Sequence, residues 1–478
     1  MKHICTLLAP LFALAAVLHA APLKPVRTEG GMLAGVATAD GSVTVYKGVA
    51  FAAAPVGLLR WAAPQPPVKW EGVKSADRFG ANCVQTITEE KKPWTHEFMA
   101  HGDVSEDCLF LNIWAPARGG SEKRPVFVYL HGGANTEGSG SVAVYDGEGL
   151  ARKGLVMVTV NYRLGVLGFF SHPELTKESG HNSSGNYALL DQIAALRWVR
   201  DNIAAFGGDP SRVTVAGQSA GAADIALLTV SPLAKGLFNR EILESGGATF
   251  GGAGKTLAAQ EADGVKFAEL KGAHNVADLR AMSWKGLTAP LQGAPRFGPV
   301  IDGYVLPASP KDAFAAGTQN DVVTLAGYNA DESGASPKGA PEANESAREK
   351  QRLATLAWAA ARGAKAQTTS YIYYWDHTLP GPDAAQYGAF HTSEVPYVLN
   401  TLGKSDRAFT AADRKIADTL STYWANFAAY GDPNGQDPDG KPLPHWPSVR
   451  EQPEMVMELG DHTAAIPAAA HGRTIAAQ

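Results

Sequence analysis

Cysteine is scarce: Cys5, Cys83 and Cys108 are the three in a chain of 478 residues. That excludes a disulfide-rich scaffold and any four-cysteine zinc site. Positive charge is not in excess, with 42 Lys and Arg against 47 Asp and Glu, a formal net charge of −5. No basic surface is on offer for nucleic acid or an anionic membrane. Beyond the N-terminus no segment approaches the roughly 18 consecutive apolar residues that a stable membrane helix needs, so no stable membrane insertion is expected. There is no His-Glu-x-x-His or comparable ligand spacing, and neither a metal nor another cofactor is expected. Internal repeats and extended low-complexity runs are missing too, and the pattern assigns no oligomeric state.

What is present begins with an export signal. Met1-Lys2-His3 gives a positive start, Leu7 to Leu18 is apolar apart from Pro10, and Ala20-Ala21 supplies small residues for cleavage. The chain therefore divides into a signal peptide over 1–21 and a single α/β domain over 22–478, exported to a periplasm or to the exterior. Cys5 leaves with the signal. Cys83 and Cys108 remain, and an even pair in an exported chain suggests a disulfide, worth about 3 kcal/mol by loop closure.

The remaining pattern alternates strand and helix without a linker-like shift in composition, which argues for one large α/β unit. Alternating segments near Gly31–Val36 and Val43–Ala50 read as a small N-terminal sheet. Pro125–Leu130 and Leu155–Val160 read as buried strands, the first running straight into His131-Gly132-Gly133-Ala134. A long helix carries Leu189, Ile193, Leu196, Val199, Ile203 and Phe206 on one face and is stopped by Gly207-Gly208-Asp209-Pro210. Further strands are expected at Glu241–Leu243, Val322–Ala326 and Tyr371–Trp375, then a closing helix with Ile416, Leu420, Trp424 and Phe427. The stretch from Gly334 to Lys350 reads as a loop or weak helix start. Apolar strands separated by helices imply a large, mostly parallel central sheet flanked by helices, with reactive groups gathered at the carboxyl ends of strands.

One pentapeptide lies at such an end. Gly217-Gln218-Ser219-Ala220-Gly221 falls between the β-branched stretch Arg212–Ala216 and a helix-like run from Ala222 to Leu228. A serine on a tight strand-to-helix turn has its hydroxyl forced into the open. The flanking glycines suit a strained turn where neighbouring backbone passes close. That is a nucleophile elbow, with Ser219 as the nucleophile.

Several ordered segments then carry a resemblance. They are Tyr46-Lys47-Gly48-Val49-Ala50-Phe51-Ala52, Ser105-Glu106-Asp107-Cys108-Leu109-Phe110-Leu111-Asn112, Asn161-Tyr162-Arg163-Leu164-Gly165, Gly185-Asn186-Tyr187-Ala188-Leu189-Leu190-Asp191-Gln192 and Phe206-Gly207-Gly208-Asp209-Pro210. With the elbow, they make the chain resemble the type-B carboxylesterases, the cholinesterase-like branch of the α/β-hydrolases, over essentially its whole mature length. The resemblance implies an α/β-hydrolase fold and a catalytic acid and histidine following Ser219 in that order. Gly327-Tyr328-Asn329-Ala330-Asp331-Glu332-Ser333 is similar to the family's acid loop and points to Glu332, with Asp331 as the alternative. Five histidines follow, His377, His391, His445, His462 and His471, and composition does not choose among them. Gly388-Ala389-Phe390-His391-Thr392-Ser393-Glu394 is similar to the family's histidine loop and points to His391. By the same resemblance the oxyanion donors are the backbone N–H groups of Gly133, Ala134 and Ala220.

The chain also departs from that pattern. Asn135 stands where relatives have an aromatic residue or leucine, so an amide is expected on the acyl-pocket wall. Gln218 replaces a glutamate, which weakens the field that would hold a quaternary ammonium. Trp94 is not at the spacing of the choline-binding tryptophan and reads as a rim or packing residue. Cholinesterase activity is therefore not expected. The interval between Glu332 and His391 is short for the family, which implies a reduced cap and a shallow site open to bulky esters. The implied function is a serine carboxylesterase for small-molecule esters, with an amidase or peptidase on the same fold, or a non-catalytic binding protein, as alternatives.

Overall fold

The computed structural model describes residues 24–117, 122–246, 254–332, 354–363 and 365–468. The expected signal peptide over 1–21, Cys5, His471 and the Gly334–Lys350 stretch fall outside the described residues, as does part of the interval between Glu332 and His391 from which a reduced cap is expected.

Eleven strands form the main sheet: β1 (Val36–Ala37), β2 (Val43–Ala50), β3 (Phe110–Pro116), β4 (Arg124–Leu130), β5 (Val156–Val160), β6 (Gly208–Gln218), β7 (Arg240–Glu244), β8 (Val323–Asn329), β9 (Ser370–Asp376), β10 (Met455–Gly460) and β11 (Ala464–Pro467). In space they run β11-β10-β9-β8-β7-β6-β4-β5-β3-β2-β1. From β5 through β10 every neighbouring pair is parallel, and antiparallel strands close both edges. The sheet is mostly parallel, as expected. Val126, Val158, Val215, Ile242 and Leu325 in its centre are fully buried, which is why these strands read as continuous apolar runs.

Three helices matter for the site: α1 (Tyr187–Asn202), α2 (Ala220–Val230) and α3 (Ala411–Tyr430). After α1 a 3-10 turn over Ile203–Phe206 ends at Gly207, whose φ of 82° needs glycine. Thr410 and Asp413 form a capping box at the start of α3, and Gly431 in the left-handed region stops it. Leu420, Trp424 and Phe427 on α3 are fully buried, and the helix lies against β4 and β6.

One expected pairing is corrected. The small N-terminal sheet consists of Val26–Arg27, Met32–Ala34 and Val73–Ser75. Val43–Ala50 does not belong to it and instead pairs antiparallel with β3 in the main sheet. Short helices over Leu257–Leu270, Val276–Ala281 and Trp284–Thr288 were not anticipated. Together with Trp61, Phe170 and Leu175 they bury a second, smaller apolar cluster.

Candidate active site

Three loops leave the carboxyl ends of β4, β6 and β8 and meet above the sheet. The β6 turn is the tightest. Ser219 sits at φ 55° and ψ −119°, a conformation side chains resist, so the turn must be held from outside. Its N–H donates to the Glu244 carbonyl at 2.8 Å, and its own carbonyl accepts from Ala223 at 2.9 Å. The neighbouring glycines have no alternative. A Cβ on Gly217 would lie 2.7 Å from the Leu130 carbonyl oxygen, and one on Gly221 only 2.1 Å from it.

After β4, Gly133, Ala134 and Asn135 take positive φ values of 112°, 53° and 57°. Among the described residues the N–H groups of Gly133 and Ala134 in this turn, and of Ala220 in the elbow, donate to no protein acceptor. His131 braces the turn from below. It is buried, its Nδ1 lies 2.8 Å from the Gly132 carbonyl, and its ring stacks on Tyr162 at 4.4 Å. Burial pushes its pKa down to about 4, so the ring is neutral. The Tyr162 hydroxyl in turn donates to the His131 carbonyl at 2.6 Å.

Asn135 turns away from the cavity, contrary to expectation. Its Nδ2 donates to Asp224 Oδ1 at 2.9 Å, and Gln192 donates to the other oxygen at 2.6 Å. Burial raises the Asp224 carboxyl to about 7 against those two hydrogen bonds. The amide therefore tethers the turn to α2 and does not wall the acyl side.

After β8, Glu332 accepts from the Asn329 N–H at 2.8 Å through Oε1 and meets His391 Nδ1 at 2.5 Å through Oε2. Asp331, the alternative acid, accepts from the Ala389 N–H at 3.0 Å and braces the histidine loop. The other described histidines are elsewhere. His377 lies between Asp461 and Asp413, and His445 pairs with Glu451 at the surface. For His391, burial pulls the pKa down, but the charge and hydrogen bond of Glu332 and the charge of Glu394 outweigh it, and the net shift is upward. Glu394 itself is buried with Asn329 Nδ2 on one oxygen. Burial, then the charge of Glu244, raises it to about 8.

Ser219, His391, Gly132, Gly133 and Ala134 all line one cavity of about 280 Å³. The hydrogen bond at His391 Nε2 does not come from Ser219. It comes from Gln218 Nε2, at 3.0 Å. Trp94 lines the cavity, as its reading as a rim or packing residue implies, but it also makes hydrogen bonds that the sequence does not announce. Trp94 donates its indole N–H to the His391 carbonyl and to Thr392 Oγ1, both at 3.1 Å, and so ties the histidine loop to the cavity wall. That wall also includes Thr86, Phe98 and Met99, from the segment closed by a disulfide between Cys83 and Cys108.

Among the described residues one group of three metal-ligating side chains occurs, Glu89, His96 and His101, with donor atoms within 4.8 Å of one another. The two imidazoles are stacked at 3.8 Å. Stacked rings hold their in-plane lone pairs side by side and do not aim them at one ion. No helix among the described residues is long and apolar enough to cross a membrane.

Comparison with known proteins places the chain in a family. The chain matches the carboxylesterase family model over residues 23–360 and 353–474. It is 36% identical over 489 residues to the fumonisin B1 esterase of Sphingopyxis macrogoltabida, covering 92% of this chain and 86% of that one. It is 31% identical over 509 residues to the cocaine esterase of Homo sapiens, covering 92% and 88%. A solved PNB esterase superposes with a TM-score of 0.78 at 29% identity, over 93% of this chain and 97% of the other.

Proposed function

The chain belongs to the carboxylesterase family and is a carboxylic-ester hydrolase, and from that premise we propose that Ser219, His391 and Glu332 carry the reaction through an acyl-enzyme. A serine hydroxyl is a weak nucleophile at neutral pH and needs a base in reach. Neutral His391 takes its proton as Ser219 Oγ attacks the ester carbonyl. The carbonyl oxygen becomes an oxyanion, which accepts hydrogen bonds from Gly133, Ala134 and Ala220. The C–O bond to the alcohol then breaks, and the imidazolium returns its proton to the leaving oxygen. Water repeats the sequence on the acyl-serine and releases the acid. Throughout, Glu332 holds Nδ1–H and stabilises the imidazolium. The observation that carries this reading is the convergence in one cavity of a strained serine, the unengaged N–H groups of Gly133 and Ala134, and an imidazole bonded to a carboxylate at 2.5 Å.

For substrate range the reading is broad or bulky esters. Support comes from a cavity of about 280 Å³ with apolar walls at Trp94, Phe98, Met99 and Val142, and from relatives named for two different esters, fumonisin B1 and cocaine. Export fits the Cys83–Cys108 disulfide, which persists in oxidising compartments. The test is an ester series from p-nitrophenyl acetate to palmitate on purified protein, with a phosphonate-labelled residue located by mass spectrometry. Label on Ser219, and loss of turnover in Ser219→Ala, are expected. Turnover that survives Ser219→Ala refutes the nucleophile, and hydrolysis restricted to the acetate refutes the substrate range.

A further inference from the structure

Gln218 is 2% exposed, and its carboxamide lies across the floor of the cavity between His391 and the oxyanion turn. On one side its Nε2 donates to His391 Nε2 at 3.0 Å. On the other, a Cβ on Gly132 would come within 2.7 Å of its Oε1 and 2.9 Å of its carbonyl oxygen. Residue 132 must be glycine for this carboxamide to sit where it does. An amide N–H only donates, so in this contact Nε2 accepts, which matches a ring that carries its hydrogen on Nδ1 beside Glu332. An imidazole nitrogen offers one in-plane lone pair, and here a neutral amide occupies it. Among the described residues Ser219 Oγ has no hydrogen-bond partner.

We propose that Gln218 is a positioning residue that caps the Nε2 lone pair of His391 in the free enzyme and must release it before Ser219 can be deprotonated. This rests on the reading of Ser219 and His391 as nucleophile and base. The cap keeps the imidazole in the tautomer the reaction needs while the cavity is empty. An ester carbonyl entering the turn at Gly132–Ala134 presses on the side of the carboxamide that packs there. The amide then swings off Nε2 and Ser219 Oγ takes its place, one donor exchanged for another. The cap is uncharged. The titratable groups bearing on the ring are Glu332 and Glu394, the latter raised to about 8 by burial, and Lys91 and Glu137 at the rim of the cavity pair with each other at 3.2 Å.

Two substitutions test this. Gln218→Met keeps the length and removes the donor, so the base is no longer capped. Its second-order rate of labelling by a small p-nitrophenyl phosphonate should rise about two- to tenfold, the worth of one neutral hydrogen bond. Gln218→Glu places a carboxylate against Nε2. That stabilises the imidazolium, so the acid limb of kcat/KM for p-nitrophenyl acetate should move to higher pH. A residue that only packs would leave the labelling rate of Gln218→Met unchanged or lower it, while the acid limb of Gln218→Glu reads whether the side chain reaches the ring at all. Labelling of folded Gln218→Met at or below the wild-type rate overturns the proposal. So does an unmoved acid limb in Gln218→Glu, which is isosteric and covers the case in which the methionine variant does not fold. Failure of the phosphonate to label Ser219 in the wild-type protein would instead defeat the triad reading.

Discussion

Replacing Trp94 with phenylalanine keeps an aromatic wall on the cavity and deletes a single donor. The indole N–H lies 3.1 Å from both the His391 carbonyl and the Thr392 hydroxyl. Thr392 is held at φ 90°, so the backbone just after the base is in a conformation that relaxes when its tethers are cut. A neutral hydrogen bond contributes about 0.5–1.5 kcal/mol net, and this one is shared between two acceptors. A loss of about 1 kcal/mol corresponds to roughly a fivefold change in the fraction of molecules with the ring correctly placed. Trp94→Phe should therefore lower kcat for p-nitrophenyl butyrate about fivefold while KM changes little. The melting temperature should fall by roughly 2 °C or less, given the size of the domain. Trp94→Ala removes wall and donor together and should raise KM as well. The assay is steady-state kinetics on both variants beside a thermal melt. If Trp94→Phe keeps wild-type kcat, or loses activity through KM alone, the indole N–H does not hold the base.

Three further outcomes are expected. The acid limb of kcat/KM should lie above pH 6.5, the ordinary histidine value, because the net shift of His391 is upward and only the neutral ring accepts a proton; a limb below that point, in a profile from about pH 5 to 9, contradicts the assignment. Glu332→Gln should cut kcat about 10³–10⁴-fold, whereas Asp331→Ala, which removes the acceptor for the Ala389 N–H, should cost mainly stability, about 1 kcal/mol. Gly221→Ala should destabilise the fold by about 3 kcal/mol or more, since its Cβ meets the Leu130 carbonyl oxygen at 2.1 Å; a wild-type melting temperature would show that the elbow has slack.

Legibility followed the range of the interactions. Strands β4 to β9 could be read because a parallel strand covered on both faces must be apolar throughout. Val43–Ala50 was placed in the wrong sheet because an alternating strand looks the same whichever partner it joins. Its pairing with Phe110–Pro116 is written nowhere in the local pattern. The helices over 257–288 did leave a readable sign, since Thr256, Asn275 and Ser283 each cap one through a side-chain oxygen. Ser219 was legible because backbone crowding dictates the glycines around it. The bonds that Gln218 and Trp94 make to the histidine loop were not. They span 173 and 297 positions and depend on side-chain direction, which a one-dimensional pattern does not encode. The same holds for Asn135, whose amide points to Asp224 and not to the cavity.

The cystine between positions 83 and 108 has a reach beyond stability. The 25-position separation it spans carries Thr86, Lys91, Trp94, Phe98 and Met99, residues that line the cavity beside Ser219. If the thiols stay reduced, the nucleophile and its anion cradle stay where the sheet puts them, but the chamber in front of them loses its clasp. Two preparations of the same polypeptide, one matured in an oxidising compartment and one kept in a reducing cytosol, should then share a reactive serine and differ in which esters they accept. Selectivity would depend on where the chain is made as well as on its gene.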